Sequence, residues 1–298
     1  MKASFIKGML CLLLSGLVLF GFVGCGGREG RIDLENIAYG EDEQQAFDLF
    51  LPAGKEKEMP LIVLIHGGEW IRGDKSTFTQ TAMDYCEQFG VAAATIGYRF
   101  LNADTTMPVL LEDIGAAIEK ICKTAKENGV KITRVALRGH SAGGHLAMLY
   151  AYSCAHTCCV PVGFVCSTSG PTDLTDDNYF SPHIALGKDK VEMLFSYAIG
   201  KNYTYETRKD FAEEIKAGSP LYLVNENTVP TLLQHGEKDC IIPYSNAVSL
   251  DAALTHCGVT HDFVSFPNSS HGLDNDPDCT AQADALFAEY ISKYLFEE

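Results

Sequence analysis

A serine set between glycines, at the junction of a strand and a helix, is the feature that most constrains this chain. Residues 133–137 have the β-branched and apolar character of a buried strand, and Arg138 closes it. The chain then passes through Gly139-His140-Ser141-Ala142-Gly143-Gly144-His145 into residues 142–151, an apolar stretch that reads as a helix. Gly139 and Gly143 let the backbone turn tightly without Cβ clashes, so that Ser141 stands with its hydroxyl exposed beyond the strand end. The start of the following helix adds a partial positive field, which suits developing negative charge. A phosphate-binding loop is excluded, because no Gly-Lys-Ser/Thr follows.

The remaining pattern repeats that unit. Residues 46–51 alternate in strand fashion up to Pro52, and Leu61-Ile62-Val63-Leu64-Ile65 is a continuous apolar run, as in a strand buried on both faces. Residues 91–96, 162–167, 231–234 and 262–266 read as further strands. Helical spacing runs over 108–126, with Leu110, Leu111, Ile114, Ile118 and Ile121 on one side and Gly129 as stop, and again over 281–295. Strands separated by helices predict an α/β fold, a mainly parallel central sheet with helices on both faces. Residues 174–229 interrupt it as a small cap insertion with helical stretches at 188–199 and 204–217. Its aromatics Tyr179, Phe180, Phe195, Tyr197 and Tyr203 either roof a pocket or belong to a solvated connecting subdomain.

In such sheets ligands bind beyond the carboxyl ends of the strands, and three further motifs fall there. His66-Gly67-Gly68-Glu69-Trp70 ends one strand, leaving backbone N–H groups of Gly67 and Gly68 free to join that of Ala142 as an oxyanion hole. His235-Gly236-Glu237-Lys238-Asp239 ends another, and His271-Gly272 lies between the last strand and the last helix. Ser141, Asp239 and His271 therefore occur in the chain order nucleophile, acid, base. Asp173, after the next strand, is the competing acid. His140 reads as an orienting group inside the turn, and His145 as a residue that packs or bonds to backbone.

His66-Gly67-Gly68, Tyr98-Arg99, the 139–145 heptapeptide, His235-Gly236-x-x-Asp239 and His271-Gly272 together resemble the α/β-hydrolase esterases. The likeness is to their hormone-sensitive-lipase-like and acetyl/feruloyl xylan-esterase-like branch, and it covers roughly residues 33–298. The resemblance implies a serine carboxylesterase that cleaves short-chain, acetyl esters on carbohydrate through an acyl-enzyme, without metal or organic cofactor. An exopeptidase or arylformamidase on the same triad, and a catalytically idle binding protein of the cell envelope, are the alternatives. Glu69 departs from the pattern, standing where many relatives carry a small residue; it either opposes an oxyanion or turns away to Arg72.

Composition bounds the partners. Lys plus Arg is 23 against 39 Asp plus Glu, a net charge of −16, which argues against nucleic acid and other polyanions. A small-molecule or oligosaccharide ester remains, with oligomeric state open. Lys2 and Lys7 precede an uncharged apolar stretch, 8–23, too short to span a bilayer comfortably, and Phe22-Val23-Gly24-Cys25 resembles a bacterial lipobox. We read 1–24 as a signal peptide, Cys25 as the lipidated residue, 25–32 as tether and 33–298 as the catalytic domain, exported and lipid-anchored at the cell envelope. Of eleven cysteines, nine lie in that domain, an odd number that leaves at least one unpaired within the monomer. Cys154, Cys158 and Cys159 with His156 match no zinc spacing and read as small buried hydrophobes or a local disulfide.

Overall fold

The structure is a computed structural model that describes residues 30–54 and 58–296. The signal peptide and lipidated Cys25 read from the sequence lie outside the described residues.

Eight strands form one sheet in the order β1-β2-β4-β3-β5-β6-β7-β8. They are β1 Arg31–Ala38, β2 Ala46–Pro52, β3 Glu58–Ile65, β4 Ala92–Ile96, β5 Lys131–His140, β6 Val162–Thr168, β7 Thr231–Gly236 and β8 His261–Phe266. From β4 to β8 the neighbours are parallel, whereas β1 and β2 close one edge antiparallel. The apolar run predicted to be buried on both faces is the middle of β3, where Leu61 to Ile65 have no exposure. β1 carries alternating charged residues rather than an apolar run; it begins at Arg31, within the stretch read as tether, and is held by register against β2.

Helices cover both faces. On one side pack α2 (Met107–Glu127), α3 (Ala142–Ser153) and α6 (Ser245–His256), through Leu110, Ile114, Ile118, Leu146, Leu149, Leu250 and Leu254. On the other lie α1 (Thr79–Phe89) and α7 (Pro277–Ile291), whose Ala82, Cys86, Phe287 and Ile291 meet Ile62, Leu64, Phe164 and Leu232. Every residue of α3 from Ala142 to Ala151 is buried. A helix apolar all round belongs inside the protein, so the helix behind Ser141 is fixed from all sides.

The cap contains α4 (Lys188–Ile199) and the short α5 (Ala212–Ala217). Its aromatics turn inward. Tyr179 packs edge-on against Phe195, and Phe195 against Tyr203, all nearly without exposure. They join the main core on the side of the sheet that carries α2 and α3, and none of them lines the cavity at Ser141. The nine cysteines described are free thiols; Cys159 Sγ lies 3.8 Å from Cys122 Sγ.

Candidate active site

β5 delivers Ser141 to the carboxyl edge of the sheet. The serine adopts φ 56° and ψ −124°, a conformation that costs a non-glycine residue of order 1–3 kcal/mol and persists only where its surroundings fix it. They do so here. The Ser141 N–H donates to the Thr168 carbonyl at 2.8 Å, and the Ser141 carbonyl accepts from His145 N at 3.0 Å. A Cβ on Gly143 would sit 2.0 Å from the Ile65 carbonyl oxygen, so only glycine lets α3 approach β3 this closely. Ala142, first residue of α3, carries one of the N–H groups that a helix start leaves without an intrahelical acceptor.

The loop after β3 passes directly over the serine. A Cβ added to Gly67 would lie 3.2 Å from Ser141 Cβ, which places the Gly67 backbone against the hydroxyl-bearing carbon. Gly68 has φ +118°, and a Cβ there would meet the Arg72 carbonyl oxygen at 2.0 Å. His66 anchors the turn. Its Nδ1–H donates to the Gly67 carbonyl at 2.7 Å and its ring stacks on Tyr98 at 4.4 Å, while burial lowers its pKa and keeps the ring neutral. The Tyr98 hydroxyl in turn donates to the His66 carbonyl at 2.9 Å. Arg99, the other member of that pair, forms an ion pair with Asp113.

His271 comes from the loop after β8. Its Nδ1–H donates to Asp239 Oδ2 at 2.8 Å. The Asp239 side chain has no exposure, and its Oδ1 accepts from the backbone N–H groups of Ile241 at 2.8 Å and Ile242 at 3.0 Å. His235 Nε2 stands 3.2 Å from the same Oδ2. Burial pushes the Asp239 carboxyl up, but the hydrogen bonds and charges of His235 and His271 outweigh it and hold the group well below the usual carboxylate range. The competing acid, Asp173, is engaged elsewhere: its Oδ1 accepts from Thr175 N at 2.8 Å and from Thr175 Oγ1 at 2.6 Å. Among the two candidates it is Asp239 that stands at His271.

The histidine loop is braced twice. His140 Nε2–H donates to the His271 carbonyl at 3.1 Å, with the two rings 4.9 Å apart, and burial keeps His140 neutral. Below it the Asp276 carboxylate accepts from Asn268 N at 2.9 Å and Ser269 Oγ at 2.6 Å. His145 bonds to backbone, as expected from its place on the helix. Its Nε2–H donates to the Gly218 carbonyl at 2.7 Å, and Nδ1 accepts from Trp70 Nε1–H at 3.2 Å. Wholly buried, it titrates at about 4 and stays neutral.

These parts share one open cavity of about 420 Å³, lined by Gly67, Gly68, Glu69, Arg72, Thr77, His140, Ser141, Ile241 and His271 among others. Ser141 and His271 face it together without a formed hydrogen bond between them, as is common before substrate tightens such pairs. Glu69, at φ 58°, pairs through Oε1 with Arg72 NH2 at 3.0 Å and through Oε2 with Lys190 Nζ of α4. Burial pushes the Glu69 carboxyl up, yet Lys190 and Arg72 hold it below the ordinary range. Sequence spacing pointed to Arg72 alone; Lys190 is 121 positions away, and no local pattern announces it. A second cavity of about 250 Å³, walled by Met107, Leu111, Leu174, Ile199 and Ile215, lies under the cap and does not include Ser141.

The chain is similar to proteins named as esterases. "Esterase LipQ" of Mycobacterium tuberculosis is 25% identical over 277 residues, 91% of this chain and 60% of its own length. "Esterase LipC" of the same organism is 24% identical, over 90% of this chain and 68% of that protein. Among solved structures, a truncated carbohydrate esterase from gut microbiota superposes with TM-score 0.71 at 20% identity, covering 88% of this chain and 96% of that one. A bacterial heroin esterase gives TM-score 0.73 at 22% identity, over 90% and 86%. The sheet order and these superpositions make the fold that of an α/β-hydrolase. The BD-FAE family model matches residues 47–254, from β2 nearly to the end of α6, and takes in both Ser141 and Asp239. With well over half of its length under that model, the chain belongs to the BD-FAE family.

Proposed function

We propose that the protein is a serine carboxylesterase that removes short acyl groups, acetyl above all, from carbohydrate. The observation that carries this reading is the shared cavity of Ser141 and His271, with His271 backed by the fully buried Asp239 carboxylate. His271, whose Nδ1–H is held by Asp239, presents Nε2 to take the Ser141 proton as Oγ attacks the ester carbonyl. The Ala142, Gly67 and Gly68 N–H groups receive the oxyanion, each worth roughly 3 kcal/mol. The alcohol leaves with the proton from His271, and a water activated by the same imidazole releases the acid.

The acyl and alcohol preferences follow from the cavity wall. Beside its glycines it presents Glu69, Arg72, Thr77 and the two histidines, and Ile241 is the one large aliphatic side chain in that lining. Each methylene of a long chain gains about 0.8 kcal/mol only if it is removed from water, and this cavity is open rather than a closed tunnel. An open cavity of this size accommodates a hydroxylated alcohol, and the names of the structural relatives, a carbohydrate esterase among them, point the same way. The test compares aryl esters of C2, C4 and C8 acids, acetylated xylo-oligosaccharides, an anilide and a formamide by kcat/KM. Faster cleavage of C2 than C8 with acetate release from the oligosaccharide is expected. Preference for C8, for the anilide or for the formamide would refute it. The same proposal places the enzyme outside the cytoplasm on a lipid at Cys25; loss of radiolabelled palmitate from a C25S chain, with retention by the parent, tests that part.

A further inference from the structure

The loop that passes over Ser141 is tied to the cap at two points. Trp70 Nε1–H donates to His145, whose other nitrogen donates to the Gly218 carbonyl at the end of α5. One residue earlier, the Glu69 carboxylate meets Lys190 on α4. Glu69 lines the same cavity as Gly67, Gly68 and Ser141, and its side chain is only 14% exposed. A fixed anion in that wall opposes any negative charge that develops there. Two unit charges ~7 Å apart, at an effective dielectric constant of about 20, change a rate by about 50-fold. Arg72 offsets part of this, but its side chain is 69% exposed and water screens it. Lys190 reaches the buried oxygen, Oε2.

We propose that Lys190 is a positioning residue for the reaction: from the cap it pairs with Glu69, holds that carboxylate in the cavity wall and cancels its charge against the oxyanion. The chain thereby tolerates an acidic residue in this wall, and the hole is fully competent only while α4 is docked. This rests on the assignment of Gly67, Gly68 and Ala142 as oxyanion donors.

The test is a double-mutant cycle on the full chain with p-nitrophenyl acetate, with kcat and KM read separately. Lys190→Met should lower kcat about tenfold with KM changed less than twofold, since the opposition exists only when the oxyanion forms. In the E69Q background the same change should cost less than twofold. Arg72→Gln should cost less than Lys190→Met. A Lys190→Met enzyme within twofold of the parent kcat would overturn the inference. So would an equal loss with and without E69Q, which would mark a merely structural contact. Ser141→Ala, run alongside, keeps the two readings apart: residual turnover there sinks the serine mechanism, whereas a dead S141A with an indifferent K190M sinks only the role of Lys190.

Discussion

Replacing Asp239 by Asn separates the work of the carboxylate from its shape. The orientation of the introduced amide is not free. Oδ1 accepts from the N–H groups of both Ile241 and Ile242, so the amide must keep its oxygen on that side. Its NH2 then faces His271 Nδ1, 2.8 Å from the position of Oδ2, and His235 Nε2 at 3.2 Å. Donor now meets donor. The least costly escape is for His271 to move its proton to Nε2 and accept from the amide through Nδ1, which leaves no lone pair facing Ser141. The imidazolium formed during attack also loses its counter-charge. Together these cost on the order of 10⁴ in kcat, equivalent to about 5.5 kcal/mol of barrier. The assay is kcat/KM for an aryl acetate at neutral pH, with near-UV circular dichroism to show that the fold is retained. A loss smaller than tenfold would refute the argument, and so would a 10⁴ loss in Asp173→Asn with a mild Asp239→Asn.

Ser141→Ala should abolish turnover by several orders of magnitude and prevent labelling by a fluorophosphonate; labelling that survives in the variant would place the nucleophile elsewhere. His145 titrates at about 4 in the fold and 6.5 when unfolded, so its contribution is fully present above pH 6.5 and lost as pH falls toward 4, about 3 kcal/mol in all. Urea midpoints at pH 7.5 and 4.5 should therefore differ less in His145→Gln than in the parent, and an unchanged difference would exclude His145 as the source. Gly68→Ala puts a Cβ 2.0 Å from the Arg72 carbonyl at φ +118°. Activity should fall with the displaced loop while α3 and Ser141 remain in place, and an active, equally stable variant would show that the loop yields freely.

The parts of this molecule that were legible in the sequence are those whose signal is local. The middle of β3 is apolar because both faces are covered, and its pattern states as much. The turn at Ser141 needs glycine at 143 because a Cβ would strike Ile65, and that demand is written as a motif. α1 and α6 carry no clear helical pattern: α1 opens Thr79-Gln80-Thr81 with Ala82 and Cys86 as its buried residues, and α6 sets the polar Asn246 in a buried face of Ala247, Leu250 and Leu254. Tertiary packing overrides weak propensity in both. β1 alternates charged and apolar residues only from Arg31 to Glu35, and its register with β2 is what holds it as a strand.

The site divides along the same line. Ser141, Asp239 and His271 each follow a strand in the parallel part of the sheet, beyond the carboxyl ends where ligands bind in such folds. Their order in the chain was thus enough to bring them together. The choice between Asp239 and Asp173 was of another kind, since both follow strands and both carry the right group. It turns on contacts a linear pattern does not contain: the Thr175 hydroxyl that occupies Asp173, and the His235 ring that shares Asp239 Oδ2. Glu69 shows the limit most clearly. A carboxylate beside an oxyanion hole looks like a defect when read alone, and Arg72 three residues on looks like its remedy. The residue that reaches its buried oxygen instead arrives on α4, from an insertion whose helix was predictable but whose docking was not. Charge compensation across a cap is set by how segments far apart in the chain pack together, and that information is absent from any local pattern.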